Sequence, residues 1–198
     1  MAEPGGGGEA AWRTIDELAG LVGVYCWVEQ RIFEVTGVWA TRAEAMGEGV
    51  AELRVWSAAT SRRHGALAGR WAERLPVRAG VEPSELVTAP KEPEGLAEAL
   101  EELAATKELA LGVCALTETV LPWVGGVYGS HLAIATPVSE ASVIEVLVEA
   151  RRDGLAEMEG GRALLGRLAE GGQPSGHMGE AFKRAFVPKT VSPAVRPG

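Results

Sequence analysis

The 198-residue chain has room for one domain of roughly 160–170 residues plus a tail. With 46% hydrophobic residues, 23% charged residues and six Trp, it can build a core that needs neither disulfide nor metal. No run reaches 18 consecutive apolar residues, and the opening MAEPGGGGEA lacks the basic and apolar regions of a signal peptide. The sequence therefore reads as cytoplasmic, with no transmembrane segment. The net charge of −8 is uneven: the residues from Gly171 onward carry Lys183, Arg184, Lys189 and Arg196 against Glu180 alone, or +3, which leaves −11 on the first 170 residues. So acidic a body repels phosphate backbones, which excludes nucleic acid as an expected partner.

In chain order, residues 1–8 read as a flexible leader and residues 9–171 as the folded body. Leu18, Val22, Tyr25, Val28, Ile32, Val35 and Trp39 recur at helical spacing, predicting a first helix from about Glu9 to Trp39. Such a helix is about 45 Å long at 1.5 Å per residue. Gly23 and Gly37 each weaken it by about 1 kcal/mol relative to Ala. Residues 40–49 form a short turn. A second helix, Val50 to Arg74, carries the stripe Leu53, Trp56, Thr60, His64, Leu67 and Trp71 and stops before Pro76. Residues 76–93 are irregular, with Gly80, Pro83 and Pro90. At about 3.3 Å per residue they can travel the whole length of a helix.

The third helix is expected from Pro93 to Ala135 as one rod, with the stripe Leu96, Leu100, Leu103, Leu109, Val113, Leu116 and Val120 and a kink at Pro122. Thr136-Pro137 suits the start of a fourth helix, which runs to Gly171-Gly172, with Gly160-Gly161 marking a break or a close crossing. Short, long, short is the order of the connections. That pattern predicts an all-α fold: an antiparallel four-helix bundle with one long crossover between its second and third helices, the ferritin-like arrangement. Residues 172–198 form an irregular tail in which Met178, Phe182 and Phe186 share one face of a short amphipathic segment, beside Lys183. These four are the candidate partner-binding residues, either docked on the bundle or offered to a protein partner.

Cys26 and Cys114 lie in apolar helical segments without CxxC spacing and read as reduced core thiols. No phosphate-binding GxxxxGK[ST] and no GxSxG occurs. The remaining chemistry to test is that of a carboxylate-bridged metal centre, which takes one Glu from each of two helices and a Glu-x-x-His pair from each of the others. The i, i+3 spacing sets both ligands of a pair on one helical face. Glu29 lies on the first stripe between Tyr25 and Ile32, and His64 lies on the second. Glu118 on the third helix and Glu157 on the fourth complete the candidate metal ligands. Ser61 stands three residues before His64, and no second His lies near, so both Glu-x-x-His pairs are broken. A buried ionic network of Glu29 and His64 with Arg62, Arg63 or Tyr25 is the alternative use of the same residues.

At VYCWVEQRIFEVTGVWA (24–40), SRRHGALAGRWAERLP (61–76) and LPWVGGVYGSHLAIATPVSEASVIEVL (121–147), the chain resembles a group of uncharacterised ferritin-like proteins from actinobacteria. The resemblance implies the ferritin-like fold and supplies no substrate. It also implies an Arg-His-His cluster where this chain has Arg62-Arg63-His64, so one imidazole is missing. The expectation is therefore a bundle without an intact di-metal centre and without a cofactor, acting through a protein partner or as a homo-oligomer. Two alternatives remain open: an oxidase or hydroxylase with iron or manganese at an atypical carboxylate/His site, and a carrier whose apolar pocket is lined by Trp, Gly125 and Gly126.

Overall fold

The computed structural model describes residues 13–42, 50–77 and 79–170. The leader, residues 9–12, most of the first turn and the whole tail with Met178, Phe182, Lys183 and Phe186 lie outside the described residues. The described part is all-helical.

Helix α1, Ile15–Thr41, starts on a capping box. Glu17 N–H donates to Thr14 Oγ1 at 3.2 Å, and Thr14 N–H donates to the Glu17 carboxylate at 2.7 Å. Two otherwise orphaned donors are thus satisfied reciprocally. One face of α1 is buried along its length through Val22, Tyr25, Glu29, Ile32, Thr36 and Trp39. Helix α2, Val50–Ala72, packs against α1. Its buried side is small and polar, with Ser57, Thr60, Ser61 and Ala68, so the two backbones come close. Ser61 Oγ donates to Phe33 O at 3.0 Å, and Cys26 Sγ lies 3.4 Å from Ala68 O.

Residues 73–95 connect α2 to the next helix and contain one 3-10 turn, Pro83–Leu86. That turn rests on α1 at Gly23, where a Cβ would fall 1.9 Å from Leu86 O. Gly23 is thus a contact requirement as well as a weak helix former.

The third rod differs from expectation. Helix α3, Leu96–Ala105, is a separate element that buries Leu96, Leu100 and Leu103 and packs against α1. Its last carbonyls are taken by side chains of α1: Trp39 Nε1–H donates to Leu103 O at 3.0 Å, and Arg42 donates to Ala104 O and Thr106 O. With its end satisfied, the chain turns at residues 106–108 and restarts. Helix α4, Leu109–Ala115, passes through a π-helical turn, Leu116–Val120, into α5, Leu121–Ile134. Leu121 N–H donates to Leu116 O, five residues back. Pro122 therefore sits in the first turn of α5, where its missing N–H costs nothing, and the widened turn before it takes the place of the expected kink. By length and composition the rod Leu109–Ile134 could cross a membrane, with a mean hydropathy of 1.4 over its most apolar window. The same composition suits a core helix, and 44% of that window is buried.

Helix α6, Pro137–Glu170, begins where Thr136-Pro137 predicted and runs unbroken through Gly160-Gly161. Gly161 marks a close crossing, since a Cβ there would lie 2.5 Å from Thr117 Oγ1. Glu140 is the one non-helical position within α6 (φ −124°, ψ 15°). Helix α6 packs against α5 and also meets α2 and α4, so α2, α5 and α6 surround a common space.

Candidate functional site

Glu29 of α1, His64 of α2, Tyr128 of α5 and Glu157 of α6 project into the core from four helices. Each is buried; Glu29 is 0% and Glu157 3% exposed. Carboxylates so far from water need compensating partners. Glu29 accepts from His64 Nδ1–H and from the Tyr128 hydroxyl. Glu157 Oε2 lies 3.2 Å from His64 Nε2 and 2.7 Å from Arg63 Nη1, whose side chain reaches in from the surface. Burial alone pushes the His64 imidazole down, but Glu29 and Glu157 outweigh it and raise it to about 10. Burial likewise pushes Glu157 up, and His64, Thr60 and Arg63 overcome this and hold it at about 2. The Tyr128 phenol, buried beside Glu29, is raised well above its ordinary value. At neutral pH His64 is an imidazolium, Glu157 a carboxylate and Tyr128 a neutral phenol.

The two ends of this group are not equally satisfied. His64 Nε2 and both oxygens of Glu157 are buried without an aligned hydrogen bond among the described residues. The short distances between them are contacts of charge, with the N–H groups directed elsewhere, and directionality governs a hydrogen bond. Arg63 Nη1 is buried in the same way, so these atoms compensate one another through charge at 2.7 and 3.2 Å.

A cavity of about 490 Å³ lies beside this group, between α2, α5 and α6. Glu29, His64, Tyr128 and Glu157 form its polar end, and Leu67, Leu121, Val124, Leu155 and Met158 supply apolar wall. Its sequence cause is a set of small residues on three helices: Ala66, Gly125, Gly126, Ala150 and Gly154 all line it. At Gly125, Gly126 and Gly154 a Cβ would meet nothing within 4 Å.

Three of the four candidate metal ligands, Glu29, His64 and Glu157, come together. Glu118 does not join them, because its carboxylate lies at the surface in a two-pronged pair with Arg162 (2.8 and 3.2 Å). His64 lies between the carboxylates, its Nδ1 on Glu29 and its Nε2 3.2 Å from Glu157 Oε2. Among the described residues no group of three or more His, Cys, Asp and Glu is placed to hold a metal ion. The arrangement matches the ionic network, joined by Arg63 through Glu157 but not by Arg62, which is exposed. Gly125 and Gly126 line the cavity. The described Trp residues do not: Trp39 and Trp71 are fully buried in the core, and Trp123 lines a different cavity.

A second polar group lies nearby. Tyr25 O–H lies 3.0 Å from His131 Nδ1, His131 Nε2 lies 2.6 Å from Glu140 Oε2, and Arg13 Nη1 meets Glu140 at 3.0 Å. Burial lowers His131, so this imidazole is neutral, donating through Nε2–H and accepting from Tyr25. For Glu140 burial acts upward and is outweighed by His131, the Thr136 N–H and Arg13, which lower it. Tyr25 stacks edge-on to Tyr128 with centroids 5.0 Å apart, and Trp71 packs against both. The two groups therefore share an aromatic wall. Glu140 and the Tyr128–Glu29 link escaped the sequence reading. Glu140 and Glu157 share the helical face of Val143, Leu147, Ala150 and Leu164, and an acid repeated on an apolar stripe was the available signal.

No protein family, curated protein or solved structure matches this chain.

Proposed function

We propose that this protein binds a small, largely apolar molecule in the cavity between α2, α5 and α6, as a binding protein or carrier. The observation that carries this reading is the cavity of about 490 Å³, with apolar walls and the buried Glu29, His64, Tyr128 and Glu157 among its lining residues. A volume in the range of roughly 300–1,000 Å³, apolar walls and a few convergent polar groups are what small-molecule sites share.

We further read the scaffold as ferritin-like, with α1 and α2 as one helical pair, the Leu109–Ile134 rod and α6 as the other, and residues 73–95 as the crossover. Those lengths and the α1–α2 and α5–α6 packing support this reading. The di-metal chemistry of such scaffolds is not part of the proposal, because both Glu-x-x-His pairs are broken in this chain.

Thermal denaturation in the presence of small apolar compounds tests the binding reading. Wild type gains stability with binders, since a ligand that binds only the folded state raises it by mass action. Gly125→Phe, which fills open space beside the cavity, loses the gain while keeping its helical circular dichroism. Equal gains in both proteins would end the reading.

A further inference from the structure

All but one of the ionic side chains that line the cavity have an opposite partner. Glu29 lies against His64, and Glu157 against His64 and Arg63. Arg70 pairs with Glu149, and Asp153 pairs with Arg152, which stands outside the lining. Arg151 lines the same cavity and has no hydrogen-bonded or ionic partner among the described residues. Its guanidinium lies over α5 at Gly129, where a Cβ would sit 3.6 Å from Arg151 Cζ and Nε.

Position decides which of these charges can meet a ligand. The lining residues Ala66, Gly126, Arg151 and Leu155 are exposed, so the cavity opens on their side. Glu29, His64, Tyr128 and Glu157 are buried and engaged with one another. A charged head bound at the open side keeps part of its water. Carried to the buried end, it would lose that water and find no free partner, which is costly. The head therefore belongs at Arg151, with the apolar body inward along Leu121, Val124 and Met158. From Arg151 to Met158 the axis of α6 rises about 10 Å, room for a short hydrocarbon chain.

A guanidinium presents parallel N–H donors that match the two oxygens of a carboxylate, and it repels an ammonium. A single negative charge completes the pairing. A second would lie near Glu149 and Asp153, two residues to either side of Arg151.

We infer that the cavity takes an amphiphilic monocarboxylate, its head on Arg151 at the open side and its hydrocarbon body against Leu121, Val124, Leu155 and Met158. This rests on the binding reading above and adds the ligand's chemical class.

The test is calorimetric titration of the full-length protein at neutral pH with octanoate, octylamine, octanol and acetate. Wild type binds octanoate roughly tenfold tighter than octylamine, because one head pairs with the guanidinium and the other is repelled by it. Acetate, a head without a body, binds at least about tenfold more weakly than octanoate, having no apolar surface to bury. Arg151→Met keeps the apolar stem and brings octanoate and octylamine close to equal, and Arg151→Glu inverts their order. Arg151 is exposed and holds no partner among the described residues, so both variants fold. Arg167→Met removes an exposed arginine paired with Glu52, outside the lining, and leaves the preference as in wild type. Four results overturn the head-group inference: octylamine binding wild type as tightly as octanoate, acetate matching octanoate, a preference that survives Arg151→Met, or an equal loss in Arg167→Met. The cavity reading then still stands on octanol, which binds wild type and not Gly125→Phe. No binding of any eight-carbon compound to wild type, or equal binding to Gly125→Phe, overturns the cavity reading itself.

Discussion

Adding one methyl group at Gly23 should destabilise the protein, whereas adding one at Gly20, one turn earlier on α1, should stabilise it. At Gly23 the new Cβ would lie 1.9 Å from Leu86 O and 2.8 Å from Leu86 C. Real Cβ contacts stay beyond 3.0 Å, so α1 and the 3-10 turn must separate by about an ångström or more. The atoms in the way are backbone and cannot rotate aside. Overpacking of this kind costs roughly 1–3 kcal/mol, and an immovable obstacle puts Gly23→Ala at the upper end. The gain in helix propensity returns about 1 kcal/mol, which leaves a net loss of about 1–2 kcal/mol. For a domain of this size that lowers Tm by roughly 2–8 °C. At Gly20 a Cβ meets nothing within 4 Å, so the propensity term acts alone and Gly20→Ala gains up to about 1 kcal/mol. Urea unfolding of the two variants beside wild type reads both signs. Gly23→Ala as stable as Gly20→Ala would refute the docking of residues 83–86 on α1.

The buried ionic group makes stability depend on pH at both ends. The His64 imidazole is raised in the folded state, so its contribution is complete below its ordinary value of 6.5 and is lost as the pH rises through about 10. Glu157 is lowered, so its contribution is complete above 4.5 and is lost as the pH falls through about 2. The deficit of His64→Gln relative to wild type, measured as a urea midpoint, should therefore shrink between pH 6.5 and 10; a constant deficit would mean that His64 is not an imidazolium. Tyr128→Phe keeps the ring packed on Tyr25 and Trp71 but removes the hydroxyl donor to Glu29. It should cost about 1–3 kcal/mol, the usual effect of leaving a buried acceptor short of one partner, and unchanged chemical denaturation would contradict that bond.

Much of the architecture was legible because it rests on local signals. Apolar periodicity located α1, α2 and α6, and Thr136-Pro137 gave the start of α6. The division of the expected third helix was partly legible too. From Leu103 to Leu109 the stripe steps six residues, which no straight helical face repeats. What completes the break is nonlocal: Trp39 and Arg42 of α1 hold the last carbonyls of α3. At the site, Glu29, His64 and Glu157 were legible as polar residues on apolar faces. Glu118 falls off the buried positions Leu116, Thr117 and Val120 and turns to Arg162. The cavity itself was not legible, because it needs Ala66, Gly125, Ala150 and Gly154 from three helices to face one space. Single small residues carry no such information until the helices are packed.

The most direct measurement is a crystal structure of the protein with 8-bromo-octanol, using the bromine's anomalous scattering to place the chain. The account predicts bromine within the cavity between α2, α5 and α6. Bromine on the outer surface only would contradict it.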